Sequence, residues 1–399
     1  MKDSKSAIVV VALGFWSVAL TLGAMRVILP VYFASVGLSV SKIALLFVLL
    51  KAAEIFGPMA EGLVINRLGY RRSFIGALGL HSLITCLYIF KPTLAVVNLE
   101  RFMRGLLPLP LMSSVYVKHF SLKETQRFHI NMLKGIYDVA RGIGMFLGGV
   151  LIAVLPLDYS ITILGFFTAG ATVVGLRYLP DLKEKIKTPI LKIWGSVDRK
   201  IKCLGLARGL LNGASDAWGI VILPVYLTVV FGLSPAVVGT IMMTGLVLHG
   251  ISATLISKYV RDDWEPEKRL IVCGLLLLPV CLAMAVPMPL YLFLVFVFLY
   301  QLFLAANVVY YNQLKLEFST AEQTSIDLGA YKTISSSITP ITIWVSGILA
   351  DALGFSWPFY LSSVLVLLSV CVLVGVVKAA PQRAEVMSVG VEEPITIQE

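Results

Sequence analysis

The chain has 399 residues, 58% of them hydrophobic and 14% charged, with a mean hydropathy of +0.89. Soluble domains run at about 45–50% apolar and about 25% charged, so a water-exposed globular surface is excluded and the length is counted in membrane spans instead. The net charge of +10 would suggest nucleic acid in a soluble protein, but in a membrane protein it is first a topology signal.

Apolar windows of roughly 20 residues, bounded by charges or Pro/Gly turns, predict spans over 7–34, 40–65, 73–91, 93–117, 128–155 and 159–179. Six more follow over 203–230, 235–259, 269–287, 289–314, 324–350 and 355–378. The expectation is an all-α membrane protein of twelve transmembrane helices. A β-barrel would alternate over about ten residues, whereas these runs are continuous. The N-terminus shows no small-residue cleavage site after a short apolar core, so it reads as the first span, not a signal peptide. Cys86, Cys203, Cys273, Cys281 and Cys371 are odd in number and contain no C-x-x-C pair, so neither a disulfide framework nor a metal site is expected.

The longest polar connection, 180–202, divides the chain into a six-helix bundle over 1–179 and another over 203–378, with a polar tail over 379–399. With the N-terminus cytoplasmic, 23 of the 33 lysines and arginines fall on cytoplasmic segments and only Lys42 and Lys91 on external loops. That asymmetry puts both termini, the linker and the tail in the cytoplasm and explains most of the basic excess without nucleic acid.

The halves repeat each other. Ile28-Leu-Pro-Val-Tyr32 recurs as Ile222-Leu-Pro-Val-Tyr226, and each is followed by Gly-Leu-Ser at 37–39 and 232–234. The same 194-residue offset places Tyr116 on Tyr310, Gly135 on Gly329 and Tyr137 on Tyr331. Duplication of a six-helix unit implies two repeats around a central cavity, with substrate bound near the bilayer midplane. Pro30 and Pro224, at matched positions, are expected to kink spans one and seven.

These residues carry a resemblance. Gly62-Leu-Val-Ile-Asn66-Arg67-Leu-Gly69-Tyr-Arg71-Arg72 resembles the signature loop between spans two and three of the major facilitator superfamily, with Asn66 where Asp is usual. Arg101-Phe-Met-Arg104-Gly105 resembles that family's arginine motif of span four, associated with proton coupling. Gly144-Met145-Phe-Leu-Gly148-Gly149 resembles the glycine motif of its exporters, with Met145 in place of Pro. More narrowly, Gly14-Phe-Trp16, Leu20 to Arg26, Leu133 to Gly149 and Arg208 to Trp218 resemble the organoarsenical efflux permease family (ArsJ). The resemblance implies the major facilitator fold, a gating role for Gly62, Asn66, Arg67, Gly69, Arg71 and Arg72, and export of an arsenylated phosphoglycerate, a small polyanion.

Eight bases lie inside the predicted spans (Arg26, Lys51, Arg101, Arg104, Lys134, Arg141, Arg208 and Lys332) against the acids Glu54, Glu100, Asp138 and Asp216. A charge at bilayer depth costs about 2.5–3.5 kcal/mol on insertion scales, so each needs a partner, a wet cavity or a function. Pairing along one helix face accounts for some: Lys51 with Glu54, Lys134 and Arg141 with Asp138, Arg101 with Glu100. Arg208, near a helix end, can snorkel. Arg26, Arg104, Arg141 and Lys332 lie deeper and are the candidate substrate-binding residues, because arginine's planar fork grips carboxylate or phosphate through paired hydrogen bonds. Lys332 is also the repeat equivalent of Asp138, which suits a gating ion pair. Asp216 is the first candidate proton carrier and Glu54 the second, with a counter-ion role for Asp216 equally open. His81 and His249 read as packing or hydrogen-bonding residues.

No nucleotide-binding loop, haem motif or nucleophile constellation occurs, so neither catalysis nor a cofactor is expected. The expected protein is a monomeric exporter in the inner (plasma) membrane, moving a small anionic substrate, with protons as a possible coupling partner. Its rivals are a proton-coupled antiporter of drugs or another metabolite, and a membrane sensor that moves nothing.

Overall fold

The computed structural model describes residues 2–90, 93–107, 109–120, 123–182, 198–259, 265–318 and 324–378. The first half contains α1 (Lys2–Ser35), α2 (Val40–Leu68), α3 (Tyr70–Cys86) with a 3₁₀ turn (Leu87–Phe90), α4 (Leu94–Leu106), α5 (Pro110–Phe120), α6 (Lys123–Val154) and α7 (Leu157–Tyr178). The second contains α8 (Arg199–Gly219), α9 (Ile222–Val229), α10 (Pro235–Tyr259), α11 (Pro266–Met284), α12 (Leu290–Phe318), α13 (Thr324–Leu353) and α14 (Trp357–Lys378). Among the described residues there is no strand. Helices satisfy every backbone group within one segment, which a lipid solvent demands.

Among the described residues, nine segments are long and apolar enough to cross a membrane on length and composition alone. The second, fourth and ninth predicted spans complete the twelve. The second carries Lys51, Glu54 and Glu61, the fourth is divided between α4 and α5, and the ninth opens with Glu267, Lys268 and Arg269. Phe166, Val173, Ile341 and Trp344 stand exposed on the flanks, a pattern that suits lipid and not water.

Two boundaries differ from the sequence expectation. The fourth span was expected to be continuous over 93–117, but the helix stops at Leu106 and restarts at Pro110. Proline lacks the N–H that would continue the ladder and suits the first turn of a new helix. Both sides of the gap are satisfied from neighbouring spans. His81 Nε2 donates to the Leu107 carbonyl at 2.7 Å, and the buried Glu61 accepts from the Met112 N–H at 2.7 Å. Span seven breaks at Ile220 and Val221, four residues before Pro224, where the ring displaces the carbonyl it would meet. Span one carries Pro30 in the same place yet remains one continuous helix, so of the two matched prolines only Pro224 accompanies a break.

Each half pairs its helices alike. The first span packs on the fifth (α1 on α6, α8 on α13) and on the sixth (α1 on α7, α8 on α14). The second packs on the fourth (α2 on α4, α10 on α12), and the third on the sixth (α3 on α7, α11 on α14). Glycines allow the closest of these approaches. Gly23 of α1 lies against the Arg141 carbonyl, and Gly144 and Gly148 of α6 against Leu20 and Ala24, with no room for a Cβ.

The halves meet along α2 with α13 and α6 with α10. Their close approaches lie at the end of the bundle away from the chain termini. There Gly149 abuts Pro235, Gly239 abuts the Met145 carbonyl, and Gly347 abuts Ser41 and Ala44. Asp351 of α13 accepts from the Val40 and Ser41 N–H groups at 2.8 and 2.9 Å, capping α2 across the divide. Most of the predicted linker 180–202 and the whole tail 379–399 lie outside the described residues. Asp198 caps α8 by accepting from the Lys200 N–H at 2.8 Å, so span seven starts at Arg199, before the expected 203.

Candidate functional site

Between the halves, charged side chains from five spans converge. Arg26 of α1 lies within electrostatic reach of Arg141 and Tyr137 of α6, Glu54 of α2 and Asp216 of α8. Glu54 in turn lies within reach of Lys51, Arg26 and Lys332 of α13. Arg26, Arg141, Lys332, Asp216 and Glu54 are therefore brought together, and they come from both halves.

Their partnerships differ. Lys51 Nζ pairs with Glu54 Oε2 at 2.9 Å and Arg141 Nη2 with Asp138 Oδ1 at 3.2 Å, the spacing of neighbours one helical turn apart. Arg141 also stands 6.0 Å from the Tyr137 ring centroid, and that ring stacks on Phe15 at 4.6 Å. Arg141 Nε is buried without a hydrogen-bond partner in the protein. Among the described residues Arg26 forms no ion pair within 4.0 Å, and Asp216 faces it from the other half beyond direct pairing distance. Two guanidiniums thus lie near each other, and Asp138, paired with Arg141, is the one carboxylate in direct contact with either among the described residues. Lys134, the other expected partner of Asp138, has its side chain outside the described residues.

A second group lies nearer the termini. The Arg208 guanidinium sits 5.2 Å from the Tyr311 ring centroid, with Nη1 buried and unpartnered, and Tyr331 is within its electrostatic reach. His249 Nδ1 donates to the Gln301 carbonyl at 3.3 Å and lies within reach of Asp138, Arg141 and Arg208. Sequence reasoning left Arg208 to snorkelling and did not single out Tyr311. The available signal was the stride of Arg208, Asn212 and Asp216 along one helix face, together with the Tyr137/Tyr331 repeat, which sets a tyrosine beside an arginine in each half.

Arg104 is placed apart from these groups. Expected to contact substrate, it is enclosed within the first half, its side chain 1% exposed. Its Nε donates to Glu100 Oε1 at 2.6 Å and its Nη2 to Thr85, while Arg101 holds both Glu100 oxygens at 2.6 and 3.0 Å and Tyr88 donates to Glu100 at 3.3 Å. A carboxylate held by two guanidiniums in this way is a buried ion-pair cluster within the first half. The physical reason is that Glu100 and Arg104 are four residues apart and share a helix face.

The gating-loop residues gather at the termini-side end of α2 and α3. Gly69 takes φ +79°, the turn between the helices that a side chain would strain. Arg71 Nη2 donates to the Leu176 carbonyl at 2.8 Å, and Arg67 and Arg72 are exposed. The surroundings of Gly62 and Asn66 lie outside the described residues. Among the described residues no cluster of three His, Cys, Asp or Glu side chains could hold a metal ion.

The sequence model of the Major Facilitator Superfamily matches residues 206–395. A search of curated protein sequences returns no match. Among solved structures, a bacterial homologue of the human lysosomal transporter Spinster, in an inward-facing and occupied conformation, aligns over 94% of this chain and 96% of its own with TM-score 0.82 and 10% identity. The human organic anion transporter MFSD10 (TETRAN) aligns over 93% of this chain and 99% of its own, with TM-score 0.70 and 15% identity. A point mutant of the nucleoside transporter NupG aligns over 94% of this chain and 99% of its own, with TM-score 0.74 and 12% identity. At such identities the likeness is one of fold. The chain has the all-α, multi-pass membrane fold of major facilitator transporters.

Proposed function

We propose that this protein is a secondary transporter that carries a small organic anion through the cavity between its halves by alternating access, outward across the plasma membrane, with both termini cytoplasmic. The observation that carries this reading is the pair Arg26 and Arg141, with Arg26 lacking any direct carboxylate partner among the described residues and Arg141 keeping a buried, unpartnered Nε. Two neighbouring guanidiniums repel each other until an anion bridges them, and each can hold two oxygens of a carboxylate, phosphate or arsenate-like group. Lys332, contributed by the other half, adds a third positive charge near Glu54. Arg104 has no part in this site.

An arsenylated phosphoglycerate is the specific candidate, because the sequence resemblance to organoarsenical efflux permeases covers the helices that supply Arg26, Arg141 and Asp216. The organic anion transport of the human structural neighbour is a precedent for the broader class. Asp216 and Glu54 are the carboxylates that trade Arg26 with the substrate, and Asp216 is the candidate for a coupled proton. Carboxylates in this position also keep proton-coupled antiport of another metabolite as the second reading.

The experiment is uptake of labelled phosphoglycerate and its arsenylated form into everted membrane vesicles. Arg26→Gln is expected to lower flux at least about tenfold, the loss of one charge-assisted hydrogen-bonded contact, at unchanged membrane abundance. Unchanged flux removes Arg26 from the site. Asp216→Asn is expected to flatten the pH dependence of flux, and a preserved profile ends its proton role. Cells carrying the arsenylating dehydrogenase that gain no arsenate tolerance from the transporter would overturn the organoarsenical substrate and leave the wider anion reading to the vesicle assay.

A further inference from the structure

A separate cleft lies in the first half, between α3 and α7. α3 and α7 pack side by side there, and their termini-side ends frame a cleft of about 500 Å³ lined by Arg71, Arg72, Ile75, Gly76, Leu176 and Asp181. Arg71 spends Nη2 on the Leu176 carbonyl, at 2.8 Å, but its Nε is buried with no partner. Arg72 is exposed, and among the described residues no ion pair within 4.0 Å joins either guanidinium to Asp181. The cleft therefore holds two positive groups with unused donors and one carboxylate with unused acceptors.

Its depth is set by the end of α7. Arg177 lies 5.5 Å from the ring centroid of Tyr178, which is half exposed, and an arginine beside a tyrosine marks the level of lipid headgroups. Beyond the cleft the seam between the helices turns apolar and open. Leu83, Phe166 and Val173 stand exposed along it, and neither Gly76 nor Gly170 has any neighbour where a Cβ would point. The seam is a shallow groove bordered by hydrocarbon and headed by charge.

We propose that this cleft binds one anionic phospholipid, its phosphate held between Arg71 and Arg72 and an acyl chain lying along the α3/α7 seam. A phosphate oxygen supplies the acceptor that the buried Arg71 Nε lacks, and a guanidinium fork matches two phosphate oxygens at once. Basic pockets between spans on the cytoplasmic side hold anionic headgroups in this way. Asp181 selects within that class. A headgroup that carries hydroxyls, such as glycerol, can donate to it, whereas choline has nothing to donate. Phosphatidylglycerol satisfies all three side chains.

The test is native mass spectrometry of the purified full-length protein with added phosphatidylglycerol or phosphatidylcholine. The wild type is expected to retain one phosphatidylglycerol in preference to phosphatidylcholine, and excess inorganic phosphate is expected not to displace it. Arg72→Gln, an exposed residue whose replacement leaves the fold in place, is expected to bind phosphatidylglycerol about fivefold more weakly, the share of one basic residue near an anionic surface. Lys258→Gln removes a charge of the same sign from the second half, beside Tyr259, and is expected to retain the lipid. Three results overturn the proposal: Arg72→Gln holding the lipid as tightly as wild type, phosphatidylcholine retained equally well, or displacement by inorganic phosphate, which would make this a free-anion site.

Discussion

Arg26 and Arg104 are both arginines set in apolar helices, and their surroundings give them opposite roles. Arg104 and Arg101 share Glu100 in an enclosed cluster with Thr85 and Tyr88, so the three charges hold one another and α4 against α3. Removing the carboxylate leaves two buried guanidiniums facing each other. Breaking a buried pair in this way costs about 3–5 kcal/mol, because the surviving charge keeps its desolvation and loses its compensation. Glu100→Gln is therefore expected to lower the thermal unfolding midpoint sharply in detergent, whereas Arg26→Gln leaves that midpoint near wild type and removes flux. Equal thermal stability of Glu100→Gln and wild type would show that the cluster is solvated and not structural. The depth of each charge was legible in the sequence, because residues can be counted in from a helix end. Its facing was less so. The four-residue spacing of Glu100 and Arg104 was legible, but only the contacts of α4 with Thr85 and Tyr88 show that this face is enclosed. The aromatic neighbour of Arg208 was not legible for the complementary reason: Tyr311 lies on a helix more than a hundred residues away.

At the scale of elements, proline alone does not decide where a span breaks. Pro30 and Pro224 occupy the same place in the two repeats, yet α1 runs through and span seven divides into α8 and α9. The eight residues of α9 are held by rings, with Tyr226 5.1 to 5.3 Å from Phe231, Phe293 and Phe355, and Trp218 just before the break 5.0 Å from Tyr300. In the fourth span the break is closed by polar side chains instead. His81 takes the loose carbonyl at Leu107, and Glu61 takes the loose N–H at Met112, so a discontinuity in the bilayer leaves these backbone groups paired. Glu61→Ala strips that acceptor from the first turn of α5 and is expected to destabilise the protein by about 1–2 kcal/mol, while Glu61→Gln, which keeps a carbonyl oxygen, loses less. Thermal unfolding of the two variants in the same detergent checks the order, and an alanine variant as stable as the glutamine one would show that the cap contributes nothing. Nine of the twelve expected spans are plain from run length and composition, and the second, fourth and ninth are diluted by charge or broken by proline. The break at 107–109 was signalled by the Pro-Leu-Pro sequence, but its acceptability rests on residues from spans two and three that no local window contains.

For the whole molecule, the contacts between halves are lopsided. Close approaches of Gly149, Gly239 and Gly347 and the Asp351 cap all lie at the end opposite the termini, whereas the charges that converge between the halves lie below them. A transporter that alternates must break this seal and remake it, so its strength sets the balance between the two orientations. Much of the seal is glycine against backbone, which has shape and little chemistry. Asp351 differs, because its carboxylate accepts from two N–H groups at the positive end of α2 while standing on α13 of the other half. Such a cap is worth about 1 kcal/mol when exposed, which is about a fivefold shift in the ratio of closed to open. Ala44, buried where Gly347 presses on it, reports the opening if replaced by cysteine. In an Ala44→Cys background, Asp351→Ala is expected to raise the labelling rate by a membrane-impermeant maleimide from the far side about fivefold. Asp351→Asn, which keeps one oxygen acceptor, is expected to fall between. An unchanged rate in both variants would mean that shape alone holds the halves together and that the carboxylate only finishes a helix end.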